Sequence, residues 1–541
     1  MQSIDYSTLG FSRLFTEFIG KNPFFEDAFP ANSTLDNHAV WLERAQRFTG
    51  RPALARAIEA TMSSVTLTDL QSHNLLLLKN DTTLATVTGQ QVGFLGGALY
   101  TLLKAHSAIR YAENFTAAGL PSVPIFWIED NDADSAEAAK TSILSAIQEP
   151  VEFACSQEFT TSIPVAERVF GEDITEILNS LESALPSSEY SSDTMALLRG
   201  IYREGISWTQ AFTELLQQFL GKYGVLFLSA EVARKHGLFK DIVLKELRNP
   251  TATKAAVDAM AEQLKKNDFH IQANASEPNL FLHIEGERSK IRWTGAEFTA
   301  HGKSYSSDEL LTLAADSPEV FSPNVLLRPI VQDAILPTIA YVAGPGEIAY
   351  LSELQECYKI FGVPIPAILP RHSATFAPPP VIRFLEKNNF GVDFFLRPWR
   401  MIESELSTMT ADTRGEELFT TSSKQLKDMF VAMSEYAVSI DQSLGGAVGA
   451  AERQTEKVIE DLQKRIASAQ KKRHATLFDK SRETASVLFP NGMLQERVLS
   501  PIVWSQRFGL ETFSDALRLI SSENPTSHFF SPLRQEKALF L

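Results

Sequence analysis

The sequence predicts an α/β protein: a doubly wound parallel-sheet core with two insertion subdomains and a C-terminal helical coiled coil. Three observations lead there. Short, continuous apolar runs alternate with helix-period segments, the pattern of strands buried on both faces and joined by crossover helices. Segments rich in Gly, Asp and Arg each follow one of these runs, and in open parallel sheets ligands sit at the strand C-terminal ends. From residue 422 onward the pattern changes to a seven-residue apolar repeat set in dense charge.

In chain order, the first apolar run, 83–87, leads into Thr88-Gly89-Gln90-Gln91 as a turn and then a helix over 98–115. The second, 123–128, leads into Glu129-Asp130-Asn131-Asp132-Ala133-Asp134. Residues 224–230 read as a further strand. Residues 338–343 precede Gly344-Pro345-Gly346-Glu347 and a helix to Phe361, and residues 364–369 precede Pro370-Arg371-His372-Ser373. Between the two halves lie the insertions. One is mixed and helical; the other alternates over 279–298, with Phe281, His283 and Glu285, then Ile291 and Trp293, and reads as a hairpin. Val448, Thr455, Leu462 and Ala469 form one seam of a long helix, Ala451 and Val458 a second, with Ile459 and Ile466 beside them; Phe489-Pro490-Asn491-Gly492 stops it. The expected division is 1–140 core, 141–222 first insertion, 223–262 core, 263–322 second insertion, 323–383 core, 384–488 coiled coil, and 489–541 returning to the core.

The chain has 541 residues, 44% of them hydrophobic, enough to bury a large core. Its 50 Lys and Arg against 66 Asp and Glu leave a net charge of −16, which argues against sequence-independent nucleic-acid binding. Two cysteines, Cys155 and Cys357, exclude a disulfide framework or a Cys-rich metal centre and fit a reducing, cytoplasmic compartment. Neither a signal peptide nor a membrane span is legible. Gly302-Lys303-Ser304 has Glu297 where a P-loop needs Gly, no GxGxxG follows a strand, and no HExxH occurs.

Thr88-Gly89-Gln90-Gln91-Val92-Gly93 offers small residues and backbone amides to an anion, or is simply a tight turn. Gly344-Pro345-Gly346-Glu347 carries the same two readings. Glu129, Asp130, Asp132, Asp134 and Glu137 crowd five carboxylates into nine residues, more than a helix start requires; they suit Mg²⁺ or an amine nucleophile. Arg328 and Arg371 suit carboxylate or phosphate. Cys357 lies on an apolar helix face and reads as a buried, inert thiol.

These blocks resemble a known family. Thr88-Gly89-Gln90-Gln91 with Gly97-Ala98-Leu99-Tyr100-Thr101 and Lys104 is similar to the TGQQ…GPLYT…K signature of BshC, the cysteine-adding enzymes of bacillithiol biosynthesis. Phe126-Trp127 with Asp132-x-Asp134-x-x-Glu137 resembles the family's FW…DHDxxE segment. Arg328-Pro329-x-x-Gln332, the stretch from Tyr341 through Gly344, Gly346 and Glu347 to Tyr350, Ile368-Leu369-Pro370-Arg371-x-Ser373, and Leu494-Gln495-Glu496-Arg497 complete the match. There are departures: Ala133 stands where the family has His, and Ala98 where it has Pro.

The resemblance implies a Rossmann-like core of the nucleotidyltransferase and class I synthetase kind, two connecting insertions, and a coiled coil that makes a homodimer. It implies addition of cysteine to the amine of glucosaminyl-malate, driven by ATP (or ADP) with Mg²⁺ as an option and no dedicated protein metal site. Asp132, Asp134 and Glu137 are then the catalytic candidates. Thr88, Gly89, Gln90, Gln91, Gly93, Lys104, Trp127, Arg328, Gln332, Gly344, Gly346, Glu347, Tyr350, Arg371 and Ser373 are the substrate- and nucleotide-binding ones. The chain lacks the HxGH and KMSKS motifs of standard synthetases. A different acyl or nucleotidyl transferase, or a non-catalytic binding protein on account of Ala133, is the alternative.

Overall fold

A computed structural model describes residues 1–155, 162–272, 275–410 and 413–533. Five strands make the central sheet: β1 (Leu84–Gln91), β2 (Ser122–Glu129), β3 (Leu226–Ser229), β4 (Thr338–Ala343) and β5 (Ala367–Pro370). All neighbours are parallel, in the order β5-β4-β1-β2-β3. The chain steps from β1 outward to β3, then returns to the far side of β1 for β4 and β5. That reversal, between β1 and β4, is the topological switch point at which doubly wound sheets open a ligand crevice. The strand centres are largely apolar because both faces are covered; Leu84, Val87, Ile125, Trp127, Leu228, Ile339 and Val342 are each 0% exposed.

One expectation is corrected here. Thr88-Gly89-Gln90-Gln91 is not the turn after a strand but the last half of β1, because β2 is equally long and pairs with it in register as far as Gln91 opposite Glu129. Gly89 faces Trp127, whose carbonyl oxygen would lie 2.8 Å from an added Cβ, so the glycine answers to its neighbouring strand. The chain then turns through Leu95, Gly96 and Gly97, all at positive φ, before helix α1 (Tyr100–Ala117). A Cβ on Gly93 would stand 2.7 Å from the Gly97 Cα; the glycines let these two backbone segments touch.

Short helices border the strand ends: α2 (Ser135–Ala138) after β2, α3 (Ala230–Lys235) after β3, α4 (Arg328–Ile335) before β4, then α5 (Pro345–Leu351) and α6 (Gln355–Phe361). The single helix expected up to Phe361 is thus two. Within the first insertion, Lys140–Leu144 and Pro150–Ala154 form an antiparallel pair, followed by the helices Ile174–Ala184, Ser191–Ile201 and Trp208–Leu220. In the second, Leu280–Ile284 and Glu287–Lys290 form a hairpin. Its two-residue turn, Glu285 (φ 55°) and Gly286 (φ 81°), has the double positive φ that matches strand twist. Glu285, expected within the strand, is in that turn. Phe321–Pro323 adds a third strand.

By internal contacts the chain divides into two units, one of residues 1–382 with 493 onward, the other of residues 383–492. In the first unit the C-terminal strand His528–Pro532 joins Ser373–Ala377 and Gln2–Ile4 in a small sheet. The second unit holds α7 (Thr413–Ile440) and α8 (Leu444–Leu488). The seam residues from Val448 to Ala469 all lie on α8, while the segment from 422 to 440 belongs to α7. Asp441 breaks them apart, its carboxylate accepting from the Ser443 backbone N–H at 2.8 Å. Among the described residues no helix is long and apolar enough to cross a membrane.

Candidate active site

At the switch point lies a cleft of about 380 Å³. Its walls come from the ends of β1 (Gly89, Gln90, Gln91) and β2 (Trp127, Glu129), the loop carrying Asp132, and Tyr341, Glu347 and Tyr350 around α5. The hairpin supplies Phe281 and Arg288, and the segment before α4 supplies Pro323, Asn324, Val325 and Arg328. Segments from five separate stretches of the chain thus meet in one place.

The floor is an interlocked ion pair. Lys104, on α1, is 1% exposed; its Nζ donates to Glu347 Oε2 at 2.6 Å and to the Gly89 carbonyl at 2.5 Å. Glu347 also accepts from the Tyr341 hydroxyl at 2.6 Å and from the Gly344 N–H at 2.8 Å. Burial alone pushes the Glu347 carboxyl up, but the Lys104 ammonium and these donors outweigh it and hold the group below the usual carboxylate range. Burial lowers the Lys104 ammonium, with Glu347 opposing. The Gly344 amide is thereby already satisfied within the protein, as is Thr88, whose hydroxyl donates to the Val342 carbonyl at 2.9 Å and ties β1 to β4.

Two guanidiniums flank the cleft. Arg328 donates to the Tyr350 hydroxyl at 2.9 Å and to Gln332 Oε1 at 3.1 Å, and lies over the Tyr341 ring. It has no carboxylate within 4.0 Å among the described residues. Arg288 rests on the Phe281 ring, 3.7 Å from its centroid, and bonds Asp132 Oδ1 at 3.2 Å, Ser322 Oγ at 3.2 Å and the Pro323 carbonyl at 2.9 Å. Nothing in the sequence around Arg288 marks it. Its register opposite His283 on the hairpin is the one feature that could have pointed it towards Phe281.

The acidic turn does not converge on a metal. Glu129 accepts from the Trp127 indole at 3.0 Å and the Asn131 N–H at 3.3 Å. Asp130 points the other way, bonding Ser229 Oγ at 2.6 Å and the Glu231 N–H at 2.8 Å; burial pushes it up to about 7. Asp132 meets Arg288, and Asp134 caps α2 through the Glu137 N–H at 3.1 Å. Asp134 and Glu137 are exposed and do not line the cleft. Among the described residues no group of three or more His, Cys, Asp or Glu is gathered as a metal site. Ala133 is 4% exposed and also absent from the cleft walls.

Several expected binding residues sit behind the cleft. Arg371 forms a buried pair with Glu496 at 2.6 Å, the two side chains 4% and 0% exposed. Ser373 Oγ donates to the other Glu496 oxygen at 2.9 Å. Glu496, part of the sequence match but not among the expected site residues, anchors the returning C-terminal segment. Gln332 is fully buried under Arg328, and Gly346 lies on α5 beside Gln272. Cys357 is buried, its thiol pushed up to about 12 by burial and then by Glu246.

The family model described as the BshC N-terminal Rossmann-like domain of bacillithiol biosynthesis matches residues 1–372, and that of the BshC C-terminal coiled-coil domain matches 374–529. A protein of Chloroherpeton thalassium named "Putative cysteine ligase BshC" is 32% identical over 466 residues, covering 83% of each chain. Proteins of the same name from Salinibacter ruber and Prosthecochloris aestuarii are 27% and 28% identical, covering 95% or more of each chain. A crystal structure titled as a putative arginyl-tRNA synthetase from Campylobacter jejuni aligns at 10% identity, over 81% of this chain and 100% of that one. Its TM-score is 0.23, too low to carry any argument. With one family model covering residues 1–372 and another residues 374–529, the chain belongs to the BshC family of bacillithiol biosynthesis.

Proposed function

We propose that this protein is a ligase that joins the carboxyl of cysteine to the glucosamine amine of glucosaminyl-malate, forming a C–N bond. The observation that carries the reading is the charge pattern of the switch-point cleft. Two guanidiniums, Arg288 and Arg328, flank carboxylates within one small cavity. Glucosaminyl-malate has the complementary pattern: two malyl carboxylates and one amino group. Guanidinium is the side chain suited to bind carboxylates through paired N–H groups.

Amide formation from a free carboxylate is uphill in water, so the cysteine carboxyl needs activation. ATP (or ADP) supplies a phosphoryl or adenylyl group for that purpose, with Mg²⁺ arriving on the polyphosphate. In this reading Gln90, Gln91, Tyr350 and Arg328 bind the substrates, and Asp132, held by Arg288, orients the amine. Lys104, Glu347, Thr88, Gly344, Gly346 and Gln332 keep the two halves of the sheet in the geometry the cleft requires. Arg371 and Ser373 act through Glu496. Ala133 is buried and does not line the cleft, so no step is assigned to this position. Val458 and Leu462 on α8 are 62% and 51% exposed, and we assign them to a homodimer seam.

The test is to incubate the full chain with cysteine, glucosaminyl-malate, Mg²⁺ and ATP and to follow products by mass spectrometry. The expected result is the cysteinyl amide. AMP beside it identifies an adenylate route, ADP an acyl phosphate. Absence of the amide under conditions in which a His-bearing relative reacts would overturn the ligase reading.

A further inference from the structure

Three carboxylates line the cleft, and they differ in what already holds them. Glu347 is saturated by Lys104, Tyr341 and the Gly344 N–H. Asp132 is paired with Arg288 and accepts from its neighbouring backbone at Ala133. Glu129 has only the Trp127 indole and the Asn131 N–H, one donor on each oxygen, and no cation within 4.0 Å among the described residues. A carboxylate has about four lone-pair sites, so Glu129 keeps free acceptor capacity facing the cavity. It stands at the C-terminal end of β2, half-buried, and its two donors fix its orientation.

We propose that Glu129 is the general base of the reaction, accepting a proton from the glucosamine ammonium. This rests on the ligase reading above. With Arg288 paired to Asp132 and Lys104 to Glu347, the charged groups of the cavity left without an ionic partner among the described residues are Arg328 and Glu129. That matches a ligand bearing a carboxylate and an ammonium, the carboxylate directed to Arg328 and the ammonium to Glu129. The proton moves from the ammonium nitrogen to a Glu129 oxygen, leaving a neutral amine. Its lone pair attacks the carbonyl carbon of the activated cysteine, a mixed anhydride with phosphate. The C–N bond forms, the C–O bond to phosphorus breaks, and its electron pair leaves with the phosphate. The second N–H proton goes to that leaving oxygen, and Glu129 returns its proton to solvent.

Burial raises the Glu129 carboxyl from its ordinary value, which makes it a stronger base than a solvated carboxylate. The charged groups that face it are Arg328 from α4 and Arg288 from the hairpin, which oppose that shift, and Asp132 from its own loop, which adds to it.

The experiment compares wild type, Glu129→Gln and Glu129→Asp with two acceptors: glucosaminyl-malate, and hydroxylamine, which is already neutral at pH 7 and needs no base. The expected result for Glu129→Gln is a fall in kcat for the amide of about 100-fold or more, with KM within a few-fold. Formation of cysteinyl hydroxamate stays near the wild-type rate. Glu129→Asp retains part of the amide rate and an acid limb displaced along the pH axis, whereas Glu129→Gln loses the limb. If Glu129→Gln does not fold, the Glu129→Asp profile decides: an unmoved limb overturns the proposal. Amide formation by Glu129→Gln within threefold of wild type, or an equal loss with both acceptors, overturns it too. Wild type inactive with either acceptor refutes the ligase reading itself, a failure distinct from that of Glu129.

Discussion

Lys104→Met removes the ammonium beneath the cleft while keeping a side chain of similar length. Two charge-assisted hydrogen bonds disappear, to Glu347 and to the Gly89 carbonyl, and such bonds contribute about 1.5–3 kcal/mol each. The Lys104 side chain is 2% exposed and that of Glu347 21%, so solvent compensates little. Breaking one side of a buried pair costs about 3–5 kcal/mol, because the other charge is left behind. Glu347→Gln alone strands the lysine in the same way, whereas Lys104→Met with Glu347→Gln removes both charges. The double variant is therefore expected to cost at least about 1.5 kcal/mol less than the sum of the singles. The assay is urea unfolding followed by tryptophan fluorescence, since all of the six tryptophans but Trp399 lie in the sheet-bearing unit. The pH dependence supplies a sign. Glu347 is held below its ordinary value, so its contribution is present above the unfolded carboxyl pKa and is lost as pH falls through the folded one. A cost below about 1 kcal/mol for Lys104→Met, or simple additivity, would refute the buried-pair argument.

Asp130 titrates with the opposite sign. Burial raises it to about 7, so its contribution is full below its unfolded value and falls by up to about 1.4 kcal/mol per pH unit as pH rises to about 7. Asp130→Asn, whose amide can donate to the Ser229 hydroxyl, should flatten that part of a stability–pH curve; an unchanged slope rules the assignment out. Glu496→Gln leaves the Arg371 guanidinium buried without its carboxylate, at a cost of about 3–5 kcal/mol, and limited proteolysis should begin cutting after residue 493. Val458→Asp with Leu462→Asp should convert a dimer to a monomer in light scattering without changing the melt of the sheet-bearing unit; a dimer that persists places the seam elsewhere.

Much of the architecture is written locally. Continuous apolar runs mark all five strands because both sheet faces are covered, and a strand buried on both faces has no polar residue to hide it. The same feature blurs strand ends. Nothing in Thr88-Gly89-Gln90-Gln91 says that β2 will be long enough to pair with all four residues, and so a strand end passes for a turn. The break at Asp441 is missed for a related reason: apolar spacing continues on both sides of a three-residue loop. Arg288 is illegible because its importance arises 156 residues away, where it meets Asp132.

The residues most conspicuous in the sequence do two kinds of work. Gly89, Lys104, Glu347 and Gly344 bind one another in a chain, and Thr88 binds the Val342 carbonyl; between them they fasten β1 to β4 at the point where the sheet reverses direction. A reversal leaves backbone ends splayed apart, and without such fastening the crevice would have no fixed width. Arg371, Ser373 and Glu496 fasten the C-terminal return in the same manner. The groups left to face a ligand are fewer: Gln90, Gln91, Glu129, Asp132, Arg288, Arg328 and Tyr350. Arg288 comes from an insertion rather than the sheet. A core that supplies geometry and an insertion that supplies charge can diverge separately. Substitutions in the hairpin should therefore alter which amine acceptor is taken while leaving activation of cysteine intact, and the hydroxylamine reaction is the measurement that separates the two.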